Sequence, residues 1–141
     1  MKINGREIAR TILNNLKEDV ENLKTKGITP TLAVILIGND PESASYVRQK
    51  DKAAHAIGAE LRIKNYELGI TKEVIQGEID KLNNDPSVHG IIIQRPVPTH
   101  LQDTDLLNRI TPKKDVDGFV PDSQFEVPIA LALIKILEKI H

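Results

Sequence analysis

Apolar residues recur at helical spacing at the start of the chain. Ile8, Ile12, Leu13, Leu16, Val20 and Leu23 share one stripe within residues 5–26, which predicts an amphipathic helix there. Gly27 ends the stripe and Pro30 follows. The pattern then changes. Thr31–Ile37 (TLAVILI) is apolar throughout and rich in β-branched side chains, as suits a strand covered on both faces. Gly38-Asn39-Asp40-Pro41 breaks that run; Asp40 suits an N-cap and Pro41 the first helical position, so a helix is predicted from there to Gly58. Glu60–Tyr66 alternates as a second strand. Thr71 is placed to cap a helix bearing Val74, Ile75, Ile79 and Leu82, and Asn83-Asn84-Asp85-Pro86 is a turn. Residues 88–94 (VHGIIIQ) predict a third strand, ended by Pro96 and Pro98. A short helix is expected over 104–110, a polar loop over 111–124, and a last helix from Pro128 to the final residue. Strands alternating with helices, without hairpin signals, predict an α/β fold: a three-layer α/β/α sandwich with a mostly parallel sheet.

Composition narrows the classes. The chain has 141 residues, 19 Lys+Arg against 20 Asp+Glu, and no cysteine. The length fits one domain. The balanced charge gives no electrostatic case for nucleic acid or an anionic membrane. Disulfides, thiolate metal sites and cysteine nucleophiles are excluded. The histidines, His55, His89, His100 and His141, form no metal-type pair at helical spacing, so no metal site is expected. The longest apolar stretch, 129–134, is far too short to span a bilayer, and the N-terminus lacks an apolar run, so a cytoplasmic protein is the default expectation. The eight glycines form neither a G-x-G-x-x-G nor a P-loop pattern.

In an open parallel sheet, ligands bind beyond the carboxyl ends of the strands. That rule selects the turn at 38–42 with the helix it starts, the segment 94–98, and the loop around 115–118. Tyr46 and Lys50 lie four apart on the helix, about 6 Å apart at Cβ. A lysine can shuttle protons where burial brings its pKa toward neutrality, and a tyrosine can stack on a flat ligand. Standing alone, this pair is more often a half-buried tyrosine beside a solvated lysine. Gln94 ends an apolar strand and needs a partner if buried; it is placed to accept from Lys50. Arg95 reads as a surface charge. The Asp115–Gly118 turn (DVDG) fails as a calcium loop, because position 5 is Phe119 and glycine falls at position 4. What remains is a structural acidic turn, or a carboxylate for a donor-rich heterocycle such as a 2-amino-4-oxo ring.

Three segments together carry a family resemblance: VILIGNDPESASYVRQKDKAAHAIG at 34–58, HGIIIQRPVP at 89–98 and PKKDVDGF at 112–119. In content, order and separation they resemble the tetrahydrofolate-binding catalytic domain of the bifunctional methylenetetrahydrofolate dehydrogenase/methenyltetrahydrofolate cyclohydrolase family. The resemblance implies that Lys50 is the catalytic proton-transfer group, that Tyr46 packs on the folate, and that Gln94 bonds and tunes the lysine. It further implies that Asp117 holds the pterin, that Pro96 and Pro98 shape the rim, and that Ser45 belongs to the same segment. The implied substrates are tetrahydrofolate derivatives, interconverted among 5,10-methylene, 5,10-methenyl and 10-formyl forms.

The chain departs from the family at two places. Family members carry an apolar residue where Arg95 stands. After Phe119 the sequence diverges, and the family's Pro-Cys-Thr-Pro segment and NADP-binding glycines are missing. The resemblance therefore divides the chain into a catalytic domain over 1–127 and an apolar helix over 128–141. It implies NADP as cofactor of the full-length family and none bound by this chain, with the cyclohydrolase step the one it can perform alone. The alternative is a non-catalytic folate-binding or regulatory module. A short-chain dehydrogenase, which also uses Y-x-x-x-K, is disfavoured because Gly38 stands alone after the first strand. The last helix is apolar nearly all round and predicts contact with a second copy or with the absent cofactor domain.

Overall fold

A computed structural model describes residues 4–102 and 104–138. Helix α1 (Gly5–Thr25) starts at Asn4, whose side chain accepts from the Glu7 N–H. Strand β1 (Thr31–Ile37) leads into α2 (Pro41–Ile57), β2 (Glu60–Tyr66), α3 (Lys72–Asn84) and β3 (Gly90–Ile93). A 3-10 turn (Thr99–Leu101), α4 (Thr104–Asn108) and α5 (Pro128–Leu137) complete the order. The three strands pair in parallel as β2-β1-β3. The crossover through α2 covers one face of the sheet, and the one through α3 covers the other.

The alternation of β1 decides which side chain meets which layer. Ala33, Ile35 and Ile37 join Ile75, Ile79 and Leu82 of α3, Ile91 and Ile93 of β3, and Leu101 and Leu106 in one apolar cluster. Val34, Leu36 and Ile92 point the other way and meet Val47 of α2. Helix α1 packs outside α2, where Val20 is buried. The predicted three-layer architecture is the observed one.

Differences from the sequence reading lie at element ends. The third strand is 90–93 rather than 88–94, yet His89 and Gln94 still donate backbone hydrogen bonds to Thr31 and Ile35. Residues 99–101, between the third strand and the short helix, form a helical turn that buries Leu101. Helix α4 stops at Asn108, although Ile110 remains buried. Thr71 makes no side-chain bond to the α3 backbone. Helix α5 reaches Leu137, and residues 139–141 lie outside the described set. It borders α1 along an apolar groove of about 430 Å³ lined by Ile8, Ile12, Leu131 and Ile136. Its other side, with Ile129, Leu133, Ile134 and Leu137, is exposed, so α1 supplies only one of the contacts that the apolar pattern calls for.

Gly90 lets a further segment close on β3. A Cβ there would lie 2.8 Å from the Val116 side chain. The Ile91 N–H donates to the Lys114 carbonyl, and Ile91 bridges Asp115 in parallel fashion, so the 114–116 segment covers the outer edge of β3.

Candidate active site

The order β2-β1-β3 makes the gap between the carboxyl ends of β1 and β3 the topological switch point, where open α/β sheets bind ligands. Three elements meet there: α2, the residues after β3, and the 115–119 loop.

Helix α2 is anchored at its start. The Asp40 carboxylate accepts from the Ser43 N–H at 2.7 Å, and this bonding holds its pKa below the ordinary carboxylate value. Ser43 itself is buried, and its hydroxyl donates to the Arg95 carbonyl at 3.3 Å. That bond ties the first turn of α2 to the chain leaving β3. Tyr46 and Lys50 follow on the same side of the helix at one-turn intervals. The tyrosine is 57% exposed and presents an open aromatic face.

Gln94 closes the gap from the other side. Its Oε1 accepts from Lys50 Nζ at 2.7 Å, and its Nε2 donates to the Arg95 carbonyl at 3.0 Å. Both ends of the amide are thereby satisfied, which fixes its orientation and aims the acceptor at the lysine. A buried amide needs such partners.

Asp117 is the third member. Burial raises its pKa, the Lys50 charge pulls it down, Asp115 pushes it up and Arg95 pulls it down, in that order of size. Lys50 therefore sits electrostatically between an amide oxygen and a partly desolvated carboxyl. The loop that carries Asp117 is stapled on both sides. Asp115 is buried, accepts from the Val120 N–H at 2.8 Å and belongs to the scaffold. Lys114 donates to the Leu82 and Asp85 carbonyls at the end of α3, and burial lowers its pKa. Gly118 adopts φ +70°, and a Cβ there would lie 2.7 Å from the Phe125 carbonyl oxygen, so the turn requires glycine.

The structure thus brings Tyr46, Lys50, Gln94 and Asp117 to one place. Pro96, joined to Arg95 by a cis bond, lines an adjoining cavity of about 520 Å³ with Val97 and Leu101. Pro98 caps the 3-10 turn. Ser45 is half-buried, and the hydroxyl that reaches the rim is Ser43, two residues earlier. Sequence reasoning missed Ser43, although its place three residues after an N-cap acid marks it as a first-turn residue. Arg95, read as a surface charge, is exposed, and its guanidinium lies 4.1 Å from the centroid of the Phe119 ring. His89 is structural: its Nδ1 accepts from the Thr31 N–H.

The glycine-led turn after β1 does not fit a dinucleotide. The Asp40 carboxylate already occupies the amino end of α2, and a pyrophosphate approaching there would meet its negative charge. Among the described residues, no group of three or more His, Cys, Asp or Glu is arranged to hold a metal ion, and no helix is long and apolar enough to cross a membrane.

Fold and site define an α/β domain that holds a lysine, an amide and a carboxylate at the switch point of a parallel sheet. The chain belongs to the tetrahydrofolate dehydrogenase/cyclohydrolase family: residues 3–117 match its catalytic domain. It is 46% identical over 119 residues to the bifunctional protein FolD of Bacillus subtilis, an alignment covering 84% of this chain and 42% of that protein. The chain thus spans less than half the length of the curated relatives it matches. Among solved structures, the bifunctional FolD of Campylobacter jejuni superposes with a TM-score of 0.93 at 36% identity, over 96% of this chain and 52% of the other. A 5,10-methylenetetrahydrofolate dehydrogenase from the silkworm Bombyx mori gives 0.92 at 33% identity, over 97% and 51%.

Proposed function

We propose that this chain, through residues 1–127, is a tetrahydrofolate-binding catalytic unit that hydrolyses 5,10-methenyltetrahydrofolate to the 10-formyl form. The observation that carries this reading is the 2.7 Å bond between Lys50 Nζ and a Gln94 amide fixed at both ends. The ionised Asp117 accepts two N–H groups from the 2-amino-4-oxo ring, and the exposed Tyr46 ring stacks on the ligand. Water adds to the cationic methenyl carbon, forming a C–O bond. Lys50 takes a proton from that water and delivers one to N5 as the C–N5 bond breaks. The formyl group remains on N10, and one proton passes to solvent. This chemistry uses no nicotinamide, and the chain is expected not to turn over NADP.

The test is the loss of methenyl absorbance. Lys50→Ala should lower the rate by about 10²–10⁴-fold, the usual range for removing a positioned general acid–base group. A rate equal to that of the unaltered chain sinks the proposal. A second reading, a folate-binding module without turnover, is favoured by the openness of the cleft at Tyr46, 57% exposed, since a wet site weakens electrostatic catalysis. Calorimetric binding of a folate with no turnover in either protein would select it. We also propose that the exposed face of α5 (Ile129, Leu133, Ile134, Leu137) meets a second copy or a cofactor-binding domain. A monomer by light scattering that binds no hydrophobic dye would count against that contact.

A further inference from the structure

We infer that Arg95 is a positioning residue for Asp117, a second cation stacked on Phe119 so that the Asp117 carboxylate stays charged while Lys50 exchanges its proton. The inference rests on the reading of Asp117 as the ring-binding carboxylate.

Gln94 and Arg95 are neighbours just after β3, and their side chains turn to different segments. Gln94 turns to Lys50 on α2. Arg95 turns to the 117–119 loop, where its guanidinium carbon lies 4.1 Å from the Phe119 ring centroid. Stacking on a ring face holds a guanidinium while leaving its N–H edge available. Arg95, Asp117 and Phe119 border one narrow cavity with Ile93 and Val120, so cation, ring and carboxylate share a wall.

The charges that face Asp117 come from three elements: Lys50 from α2, Arg95 after β3, and Asp115 from its own loop. Burial and Asp115 both favour the neutral acid, and the two cations oppose them. The two cations differ in kind. A lysine that moves protons spends part of its cycle uncharged, and its support for Asp117 lapses then. A guanidinium stays charged throughout the working pH range. Arg95 therefore supplies the constant part of the field, and its stacking on Phe119 favours the rotamers that stay on this wall.

The experiment measures the Kd of 5-formyltetrahydrofolate, a stable tetrahydropterin, on the intact chain at about pH 5.5 and about pH 7.5. Lower pH moves Asp117 toward its neutral form, which loses ring affinity. Arg95→Met should raise the ratio of the acid Kd to the neutral Kd by about threefold over the unaltered chain, since removing a nearby cation raises a carboxyl pKa. High salt should shrink that difference, because Arg95 is exposed. Arg95→Lys should restore much of the ratio, and Phe119→Leu should shift it in the same direction as Arg95→Met by less. A purely structural role would not move a pH ratio. Equal ratios in Arg95→Met and the unaltered chain overturn the inference. So does a weakening that is the same at both pH values, which would mark Arg95 as a direct ligand contact. Asp117→Asn separates the two levels: it should bind weakly and without acid dependence. If it binds as tightly as the unaltered chain, the ring-binding reading falls and this inference with it. If it weakens binding while Arg95→Met leaves the ratio unchanged, only this inference fails.

Discussion

The two faces of the sheet are packed to different depths. Among the described residues, the α3 and α4 side holds a cluster of thirteen buried apolar residues, whereas the α2 side holds four. On the deep side nearly every inward position of α3 is spent on packing: Ile75 and Ile79 have no exposed surface. On the shallow side α2 touches the sheet mainly through Val47, and its sequence (PESASYVRQKDKAAHAI) is otherwise polar or small. The shallow face can therefore carry Tyr46 and Lys50 beside a crevice, because few of its positions are claimed by the core. Packing and the proposed chemistry thus fall on different layers, and substitutions should separate them.

Ile79→Ala should have the largest effect on stability, a loss of about 3–4 kcal/mol, as for other fully buried large-to-small changes. Urea unfolding measures it, and the folded fraction should keep its folate affinity. Val47→Ala on the shallow side should cost about 2 kcal/mol, because a smaller side chain is lost from a thinner layer. Unlike Ile79→Ala, it should also lower turnover, since α2 carries Lys50. Equal stability losses at the two positions would contradict the difference in depth. Asp40→Ala removes the cap of α2 and should lower the urea midpoint by less than either core change. Its depressed pKa means that this contribution is present above the ordinary aspartate range and is lost as pH falls through the folded value. The smallest effect is a gain. Burial raises the Asp117 pKa, so the charged carboxylate opposes folding at neutral pH, and that penalty fades as pH falls through the folded value. Asp117→Asn should raise the Tm by about 1–2 °C at neutral pH, allowing for screening at a partly exposed site, and by less in acid. The same variant should bind folate poorly, which would show a site residue kept at the expense of stability.

Much of this division was legible in the linear pattern. The unbroken run at 31–37 announced a central strand, and the cap Asp40-Pro41 located the start of α2 to the residue. Tyr46, Lys50, Gln94 and Asp117 were all named from spacing, position at strand ends and family resemblance. The residues that escaped act through partners distant in the chain. Ser43 looks like any helix-start serine until Arg95, fifty-two residues on, offers its carbonyl. Asp115 and Asp117 are near-identical in sequence context, yet one is sealed against Val120 and the other opens toward Lys50. Lys114 reads as surface charge until the end of α3 presents two carbonyls to it.

The sequence by itself determined the periodicities, the caps and the breaks, because each depends on a few neighbouring residues and their local backbone preferences. It therefore set the number and order of elements from α1 to β3. Only the tertiary structure decided which of two acids two residues apart is sealed into the loop, which serine ties α2 to the rim, and which ring stacks on Arg95. Those choices depend on hydrogen bonds, charge and burial between segments that become neighbours only when the parallel sheet closes.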